Sequence, residues 1–369
     1  MTRAAEAILG DAVSVGLVVT NARARPAPRT RVWLAGHPLP DARSRRAARD
    51  VLELLARARE CDLVIVLLSG GASALLAAPA SGLWLRDKAR ITELLLRAGA
   101  TIDELNAVRK HLSRVKGGGL VRGTRARVAA LVLSDVIGNE PATIGSGPTV
   151  PDPTTFADAV AILRERGLLQ RVPRVREHLL AGARGEREET LKPGDPKSRR
   201  ASNRIIGDNR VAVKAAAREA RRLGFVTRTL TTRLAGEARH AAPRLVSELG
   251  ARKPGVCLLA SGETTVTVSG AGRGGRNQEL VVASVRGLVA IGAPAVVASL
   301  ASDGIDGRSA AAGGVADDRS LARARRAGLA PPESFLEAND TEGFLAPLSD
   351  LIVTGPTGTN VLDLTVLLR

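Results

Sequence analysis

Tyrosine is absent from this chain of 369 residues, and aromatic residues make up 2% of it. Without aromatic faces there is no platform for stacking the bases of single-stranded nucleic acid. That weighs against nucleic-acid recognition despite a formal net charge of +17. The basic excess is nearly all arginine and is spread along the chain instead of being gathered in one patch. Its expected consequence is a general attraction for anionic small molecules.

Cysteine is almost as scarce. Cys61 and Cys257 lie far apart, make no metal-ligand spacing, and are expected to be buried thiols in strand contexts in a reducing compartment. The four histidines show no mutual spacing of a metal site or a triad, and His37 and His178 read as structural or surface residues. No apolar run approaches the roughly 20 residues that span a bilayer. Met1 to Gly16 lacks the basic start and unbroken apolar core of a signal peptide, with Glu6 and Asp11 interrupting it. A cytoplasmic protein with no membrane partner is therefore expected. G-x-x-x-x-G-K-[ST] does not occur, which excludes a P-loop enzyme.

What is present is a repeated alternation of strand and helix patterns, which argues for α/β architecture with mostly parallel sheets. The length exceeds what one core usually serves, so two domains are expected, 1–250 and 251–369, divided at Gly250–Gly255. The clearest strand is Leu63–Leu68, six apolar residues that read as buried on both faces. Further strands are expected at Gly16–Thr20, Arg31–Ala35, Arg127–Leu133, Arg204–Gly207, Phe225–Leu230, Val256–Ala260, Thr264–Ser269, Ala295–Leu300 and Asp350–Thr354. Asp41 is placed to cap a helix over Ala42–Arg59. Other helices are expected near Leu75 and over Asp87–Ala98, Asp103–Gly117, Phe156–Gly167, Asn209–Leu223 and Glu237–Leu249. Ser134 to Pro153 reads as a long functional loop, and Gly182–Ser202 as a surface excursion.

Several strands end in glycine beside a polar or charged residue, and the carboxyl ends of parallel strands are where ligands sit in such sheets. Ser69-Gly70-Gly71-Ala72-Ser73 joins a strand to a helix, so backbone N–H groups and the helix N-terminus could hold an anion there. Gly270 to Glu279 contains a formal G-x-G-x-x-G, but its preceding strand is not wholly apolar and no acid follows at the spacing that would bind a ribose. Arg273 and Arg276 among Gly272, Gly274 and Gly275 are better matched to phosphate oxygens. Asp135, Glu263, Asp303 and Asp306 stand at strand ends, and one or two carboxylates suffice for magnesium bound to substrate phosphates. Arg109 and Lys116 are seven apart, about two helical turns, and so would share a basic face for a carboxylate or phosphate.

Together these motifs resemble the glycerate 2-kinase family, whose C-terminal module is called MOFRL. The resemblance rests on Gly36-His37-Pro38, Ser69-Gly70-Gly71, Asn106 to Ser113, Ser134 to Gly138 and Ser146 to Pro153. It continues through Ser261 to Val266, Gly272 to Glu279, Asp303 to Gly307 and Thr354 to Val361. It implies two three-layer α/β/α domains, an N-terminal Rossmann-like one with a mostly parallel sheet and a C-terminal MOFRL domain with a mixed sheet, with the active site in the cleft between them. It implies ATP- and magnesium-dependent phosphorylation of D-glycerate at its 2-hydroxyl by a monomer or homodimer. The family's glycine-loop arginine maps to Arg276, which with Lys116 stands as a candidate catalytic residue. Ser69, Gly70, Gly71, Ser73, Arg109, Gly272, Arg273, Gly274, Gly275, Asn277, Thr357 and Asn360 stand as substrate- and phosphate-binding, and Asp135, Glu263 and Asp303 as metal ligands.

Family members begin with a further strand ending in Gly-Lys-Ala, and its lysine is a proposed active-site residue. This chain starts at Met1-Thr2-Arg3, inside the helix that should follow, and has no lysine before Lys88. The expectation is that the true start lies upstream; otherwise catalysis is lost or rerouted. The alternatives to a kinase are a hydroxypyruvate reductase-type oxidoreductase and a catalytically impaired nucleotide-binding homologue.

Overall fold

A computed structural model describes residues 1–21 and 27–369. Its elements run in chain order as α1 (Thr2–Leu9), β1 (Gly16–Thr20), β2 (Thr30–Leu34), α2 (Ala42–Arg57), β3 (Leu63–Leu68), α3 (Ala72–Leu75), α4 (Leu85–Arg97), α5 (Ile102–His111), α6 (Gly119–Arg122), β4 (Arg127–Leu133), α7 (Phe156–Glu165) and α8 (Pro173–Ala183). They continue as β5 (Ala201–Gly207), α9 (Asn209–Arg222), β6 (Val226–Leu234), α10 (Ala238–Gly250), β7 (Val256–Gly262), α11 (Arg276–Ala290), β8 (Val296–Ala301), β9 (Gly313–Asp317), α12 (Ser320–Arg326), α13 (Pro332–Glu337), α14 (Thr341–Leu345), β10 (Leu351–Ile352) and β11 (Asp363–Leu368). Among the described residues no helix is long and apolar enough to cross a membrane.

Packing divides the chain into two compact units, 1–132 with 139–206, and 133–138 with 207–369. The division falls after Ile206, not at the Gly250–Gly255 turn. The reason lies in the pairing: β6 runs parallel to β7 from Val226↔Val256 onward, and α9 packs its Val213 and Ala217 against Cys257 and Leu259 of β7. The segment between Gly207 and Gly250 therefore shares a core with the C-terminal strands and helices.

In the first unit β1 pairs parallel with β2, and β3–β4–β5 form a second sheet in which β3 and β4 are parallel. Asp41 caps α2 as expected, its carboxylate accepting the N–H groups of Arg43 and Ser44. Ala48 and Leu55 of that helix pack with Val64 and Val66 of β3. The other face of β3 is open, with Leu63 at 61% exposure, so the strand is covered on one side and not on two. Cys61 lies exposed just before it, and only Cys257 is a buried thiol. A separate all-helical core joins Ile91 and Leu95 of α4, Val108 of α5, Leu163 of α7 and Leu179 of α8.

The helix expected over Asp103–Gly117 stops at His111. Beyond it the chain turns, with Gly117 and Gly118 both at positive φ. These glycines make room for Thr190 and Leu191: a Cβ on Gly118 would collide with the Leu191 side chain. Leu191 N–H donates to Gly117 O at 3.1 Å, and Leu191 is buried. The stretch read as a surface excursion thus contributes to the interior at its centre.

The second unit is built on a six-stranded mixed sheet of order β10–β9–β8–β11–β7–β6, in which β11 runs antiparallel to both β7 and β8. Helices α10 and α11 bury Leu245, Leu249, Val281 and Leu288 against one face, and α9 covers the other, giving three layers. β9 and β11 were not anticipated. The alternating run Thr264–Ser269 is not a strand: Thr267 N–H donates to Glu237 at 3.1 Å and Ser269 N–H to Asn339 at 2.8 Å, so side chains replace a ladder. Leu258 is fully buried at the centre of this unit's core. Leu258→Ala is expected to cost about 3 kcal/mol through lost burial and a residual cavity. Chemical denaturation monitored on the second unit checks this, and a loss below about 1 kcal/mol would contradict the packing described.

Candidate active site

In the first unit the residues expected to bind anions converge on one hydroxyl. Ser73 Oγ accepts from Arg109 Nη2 at 3.0 Å and also from the Lys116 ammonium. It lies 3.1 Å from Ser146 Oγ, which in turn donates to Asn106 Oδ1 at 3.1 Å. Lys116 Nζ reaches the carbonyls of Ser73 at 3.2 Å and Gly145 at 3.3 Å as well. Arg109 and Lys116 do meet, but not along one helix face. Arg109 points off the last turn of α5, while Lys116 arrives from the turn beyond it. Lys110, next to Arg109, faces the other way and forms a buried ion pair with Asp152 at 3.2 Å.

The helix behind Ser69-Gly70-Gly71 is a single turn, Ala72–Leu75, so its dipole is small. The positive charge of this site therefore comes from side chains. Gly71 adopts positive φ, and a Cβ there would stand 3.0 Å from the His37 ring, which places Gly36-His37-Pro38 against the loop. Ser69 is exposed and Gly70 to Ser73 are half-buried, so the loop is the solvent-facing side of the cluster, with Lys116 buried behind it.

A third cation, Lys88 of α4, belongs to this cluster and was not anticipated. Burial, with the neighbouring Arg109 charge, pulls its ammonium down to about 7. Burial together with Lys88 and Arg109 lowers Lys116 well below the ordinary lysine value. Burial likewise lowers Arg109. Among the described residues no ion pair joins any of the three to a carboxylate, whereas Lys110 has Asp152. Lys88 had a signature in sequence: it falls in register with Ile91 and Leu95, the buried stripe of α4.

The second unit carries a different arrangement at the ends of β7, β8 and β11. Arg276, at the start of α11, forms a bidentate pair with Asp363 (Nε–Oδ2 2.5 Å, Nη2–Oδ1 3.0 Å) and a further pair with Glu263 at 2.5 Å. Burial opposes its charge, but the Asp363 pair prevails and raises its pKa further above the ordinary arginine value. Burial raises Asp363 despite the arginine. Asp306 accepts from the N–H groups of Asn277 at 3.1 Å and Gln278 at 2.9 Å, and burial raises its pKa too. The first N–H groups of α11 are therefore held by a carboxylate of the protein itself.

The glycine-rich loop is likewise spoken for. Gly272 N–H donates to Ala338 O at 3.1 Å and Arg273 N–H to Asp340 Oδ1 at 3.0 Å. Gly275 has no room for a side chain, since a Cβ would collide with Asp306. Here Gly272 and Gly275 serve close packing, and the N–H groups of Gly272, Arg273, Asn277 and Gln278 are bonded within the protein. Arg273 itself is exposed and lies 3.4 Å from Glu342. Thr357 donates its hydroxyl to Ser302 O at 2.6 Å, its N–H to Asp303 O at 3.0 Å, and Asn360 accepts from Leu362 N–H at 3.1 Å. These contacts fold the Thr354–Asn360 loop onto the end of β8.

Among the described residues no group of three or more His, Cys, Asp or Glu side chains forms a metal cage. Magnesium does not require one, because phosphate oxygens and water complete its shell. Because β11 pairs with both β7 and β8, Glu263, Asp363 and the Asp303 turn lie at the ends of neighbouring strands. Asp303 Oδ1 accepts only a turn N–H from Ile305 at 3.0 Å among the bonds described. Asp135 follows β4 in a half-buried loop of the second unit.

Two family matches cover most of the chain: a domain of unknown function (DUF4147) over residues 1–180 and the MOFRL family over residues 256–363. A glycerate 2-kinase of Pyrococcus horikoshii is 42% identical over 98% of this chain and 82% of its own length. The chain belongs to the glycerate 2-kinase family. The crystal structure of a glycerate kinase from Thermotoga maritima superimposes with a TM-score of 0.91 at 37% identity, covering 100% of this chain and 88% of that one. A protein of Agrobacterium vitis provisionally named a hydroxypyruvate reductase is 38% identical over 100% of this chain and 84% of its own length. The dinucleotide reading is not favoured by the geometry, since Asp306 occupies the α11 terminus where a pyrophosphate would sit.

Arg276→Ala leaves Asp363 buried without its partner, so it is expected to lower stability by about 3 kcal/mol in addition to any effect on turnover. Thermal unfolding measures this; an unchanged melting temperature would contradict the buried pair. Lys88 has a lowered folded-state pKa, so the unfolded chain binds that proton more tightly. The burial penalty is fully present below about 7, and stability rises with pH between there and the ordinary value of 10.5. Lys116 acts in the same direction. Thermal unfolding of the ligand-free protein against pH should show that rise, and Lys88→Met should reduce it; a stability that falls over this window in the wild type would contradict the assignment.

Proposed function

We propose that this chain transfers the γ-phosphoryl group of ATP to the 2-hydroxyl of D-glycerate, with magnesium on the nucleotide phosphates. The observation that carries the reading is the cluster of Arg109 and Lys116 on Ser73, in a chain 42% identical to a glycerate 2-kinase. In the reaction the 2-hydroxyl oxygen forms a bond to the γ-phosphorus, the bond from that phosphorus to the ADP oxygen breaks, and the hydroxyl proton is released. Such transfer needs little covalent help from protein, and depends on positioning and on neutralising phosphoryl charge.

Each unit brings one part of that chemistry. In the first, the Ser69–Ser73 loop, Arg109 and Lys116 hold an anionic group of the reactants. The sequence suggests an anion on the loop and a carboxylate or phosphate on Arg109 and Lys116. Their convergence on Ser73 makes these one place. Lys116 is the candidate catalytic residue there, because its ammonium is fixed by Ser73 and Gly145 and needs no reorganisation when charge develops. In the second unit Glu263 and Asp303 are the acids that would hold magnesium, which when bound would offset charge on the ATP phosphates. Arg276 orients Glu263 and Asp363 through its ion pairs and presents a fixed positive charge beside them. Gly275 lets α11 approach Asp306 closely enough to anchor Asn277, while Gly274 lies against Thr341.

The test is ATP consumption by the purified chain with D-glycerate and magnesium, with phosphorus NMR to locate the new ester. Phosphate on the 2-oxygen is expected; NADH-dependent reduction of hydroxypyruvate without ATP consumption would overturn the reading. Lys116→Met should depress kcat by a factor on the order of 10³ with less effect on folding, because it removes a charge that acts on the transferring group. Unchanged kcat in a folded variant would remove Lys116 from the catalytic set.

A further inference from the structure

Lys88 has no part in the reading above, and its position is costly. The side chain is buried, and its ammonium nitrogen has no hydrogen-bond partner. An amine shut away from water without a partner forfeits hydrogen bonds it would otherwise make. A methionine or leucine at this position would continue the apolar stripe of Ile91 and Leu95 without that penalty. Packing therefore does not account for a lysine here.

Its surroundings do. Lys88 stands close enough to Arg109 and Lys116 for their charges to act on one another. Arg109 and Lys116 are fastened to Ser73 Oγ, and Lys88 lies one turn before Ile91, which shares a core with Val108 next to Arg109, so α4, α5 and the turn after α5 each bring one cation to this part of the unit. No carboxylate in the described residues pairs with any of them, although the neighbouring Lys110 has one. A carboxylate ligand would offset one charge of the three. A phosphate dianion would offset two, and its oxygens radiate in enough directions to meet donors from three elements.

We propose that Lys88 is the third cation of a phosphate-binding pocket formed with Arg109, Lys116 and Ser73, selecting a doubly charged tetrahedral oxyanion over a carboxylate. The anion enters through the Ser69–Ser73 side and supplies the partner that the Lys88 ammonium lacks. The kinase reading is needed only for the source of the phosphate, which is either the nucleotide or the phosphorylated product. The pocket itself does not depend on turnover.

Calorimetric titration of the full chain with inorganic sulfate, and separately with acetate, tests this without activity. Wild type is expected to bind sulfate at least about tenfold more tightly than acetate. Lys88→Met should lose about tenfold or more of the sulfate affinity without a lower melting temperature, and Lys88→Arg should retain most of it. Equal sulfate affinity in wild type and Lys88→Met, or acetate binding as tight as sulfate, overturns the proposal. Selenate soaked into wild-type crystals gives a measurement independent of any variant. An anomalous peak within hydrogen-bond reach of Lys88 Nζ is expected, and its absence counts against the pocket. Competition with ATP and with 2-phosphoglycerate assigns the source: whichever displaces sulfate supplies the phosphate, and displacement by neither overturns the link to the kinase while leaving the sulfate result readable.

Discussion

Uncompensated positive charge is the constraint around which the first unit is arranged. Lys88, Arg109 and Lys116 gather behind the Ser69–Ser73 loop with no carboxylate among them, and two of the three are buried. Proteins normally pair buried charge, and this one does so nearby, with Lys110 on Asp152. The contrast within a single helix turn, Arg109 toward the loop and Lys110 toward the acid, separates charge used for the fold from charge held for a ligand. The cost of that separation falls on the ligand-free protein, and an anion relieves it.

The second unit obeys the opposite rule. Its central arginine is saturated: Arg276 holds Asp363 in a fork and Glu263 beside it, while Asp306 closes the N-terminus of α11. A preformed ion-pair lattice at the ends of three strands gives rigid placement, and little backbone is left over for binding anions. The two units thus treat charge in opposite ways, one leaving buried cations without carboxylate partners among the described residues, the other binding its arginine to two acids.

Much of this was legible in the chain because local signals agreed with the final packing. The apolar block Leu63–Leu68, the Asp41 cap and the alanine-rich helix after Asp208 are found where their patterns place them. What was missed was decided by tertiary partners. β9 is Gly-Gly-Val-Ala-Asp, a sequence with little strand preference, and it forms because β8 and β10 flank it. Thr264–Ser269 has the strand alternation, yet Glu237 and Asn339 take its N–H groups. At the site, the spacing of Arg109 and Lys116 pointed to their meeting, though for a helix that ends before Lys116. The formal G-x-G-x-x-G motif could not reveal that Asp306 already occupies the helix terminus, since that acid lies in a turn after β8. Lys88 was overlooked because an isolated lysine in a charged helix reads as solvated; its register with Ile91 and Leu95 is the sign that it is not.

Buried lysines whose burial works against their charge, with no carboxylate paired to them among the described residues, are the centre of this picture. Lys88, lowered to about 7, with Lys116 lowered beside it, sets the pH at which the exchange can be read. The most direct measurement is the number of protons taken up when inorganic sulfate, a dianion throughout this range, binds the full chain slightly above neutral pH. It comes from calorimetry in two buffers of different ionisation enthalpy. Net uptake of a substantial fraction of a proton per sulfate bound, falling away as the pH drops below about 7 where Lys88 is already charged, is the predicted result. Sulfate binding with no proton uptake above neutral pH would show that these amines are charged throughout, or that the anion lies elsewhere, and would contradict the role given to them.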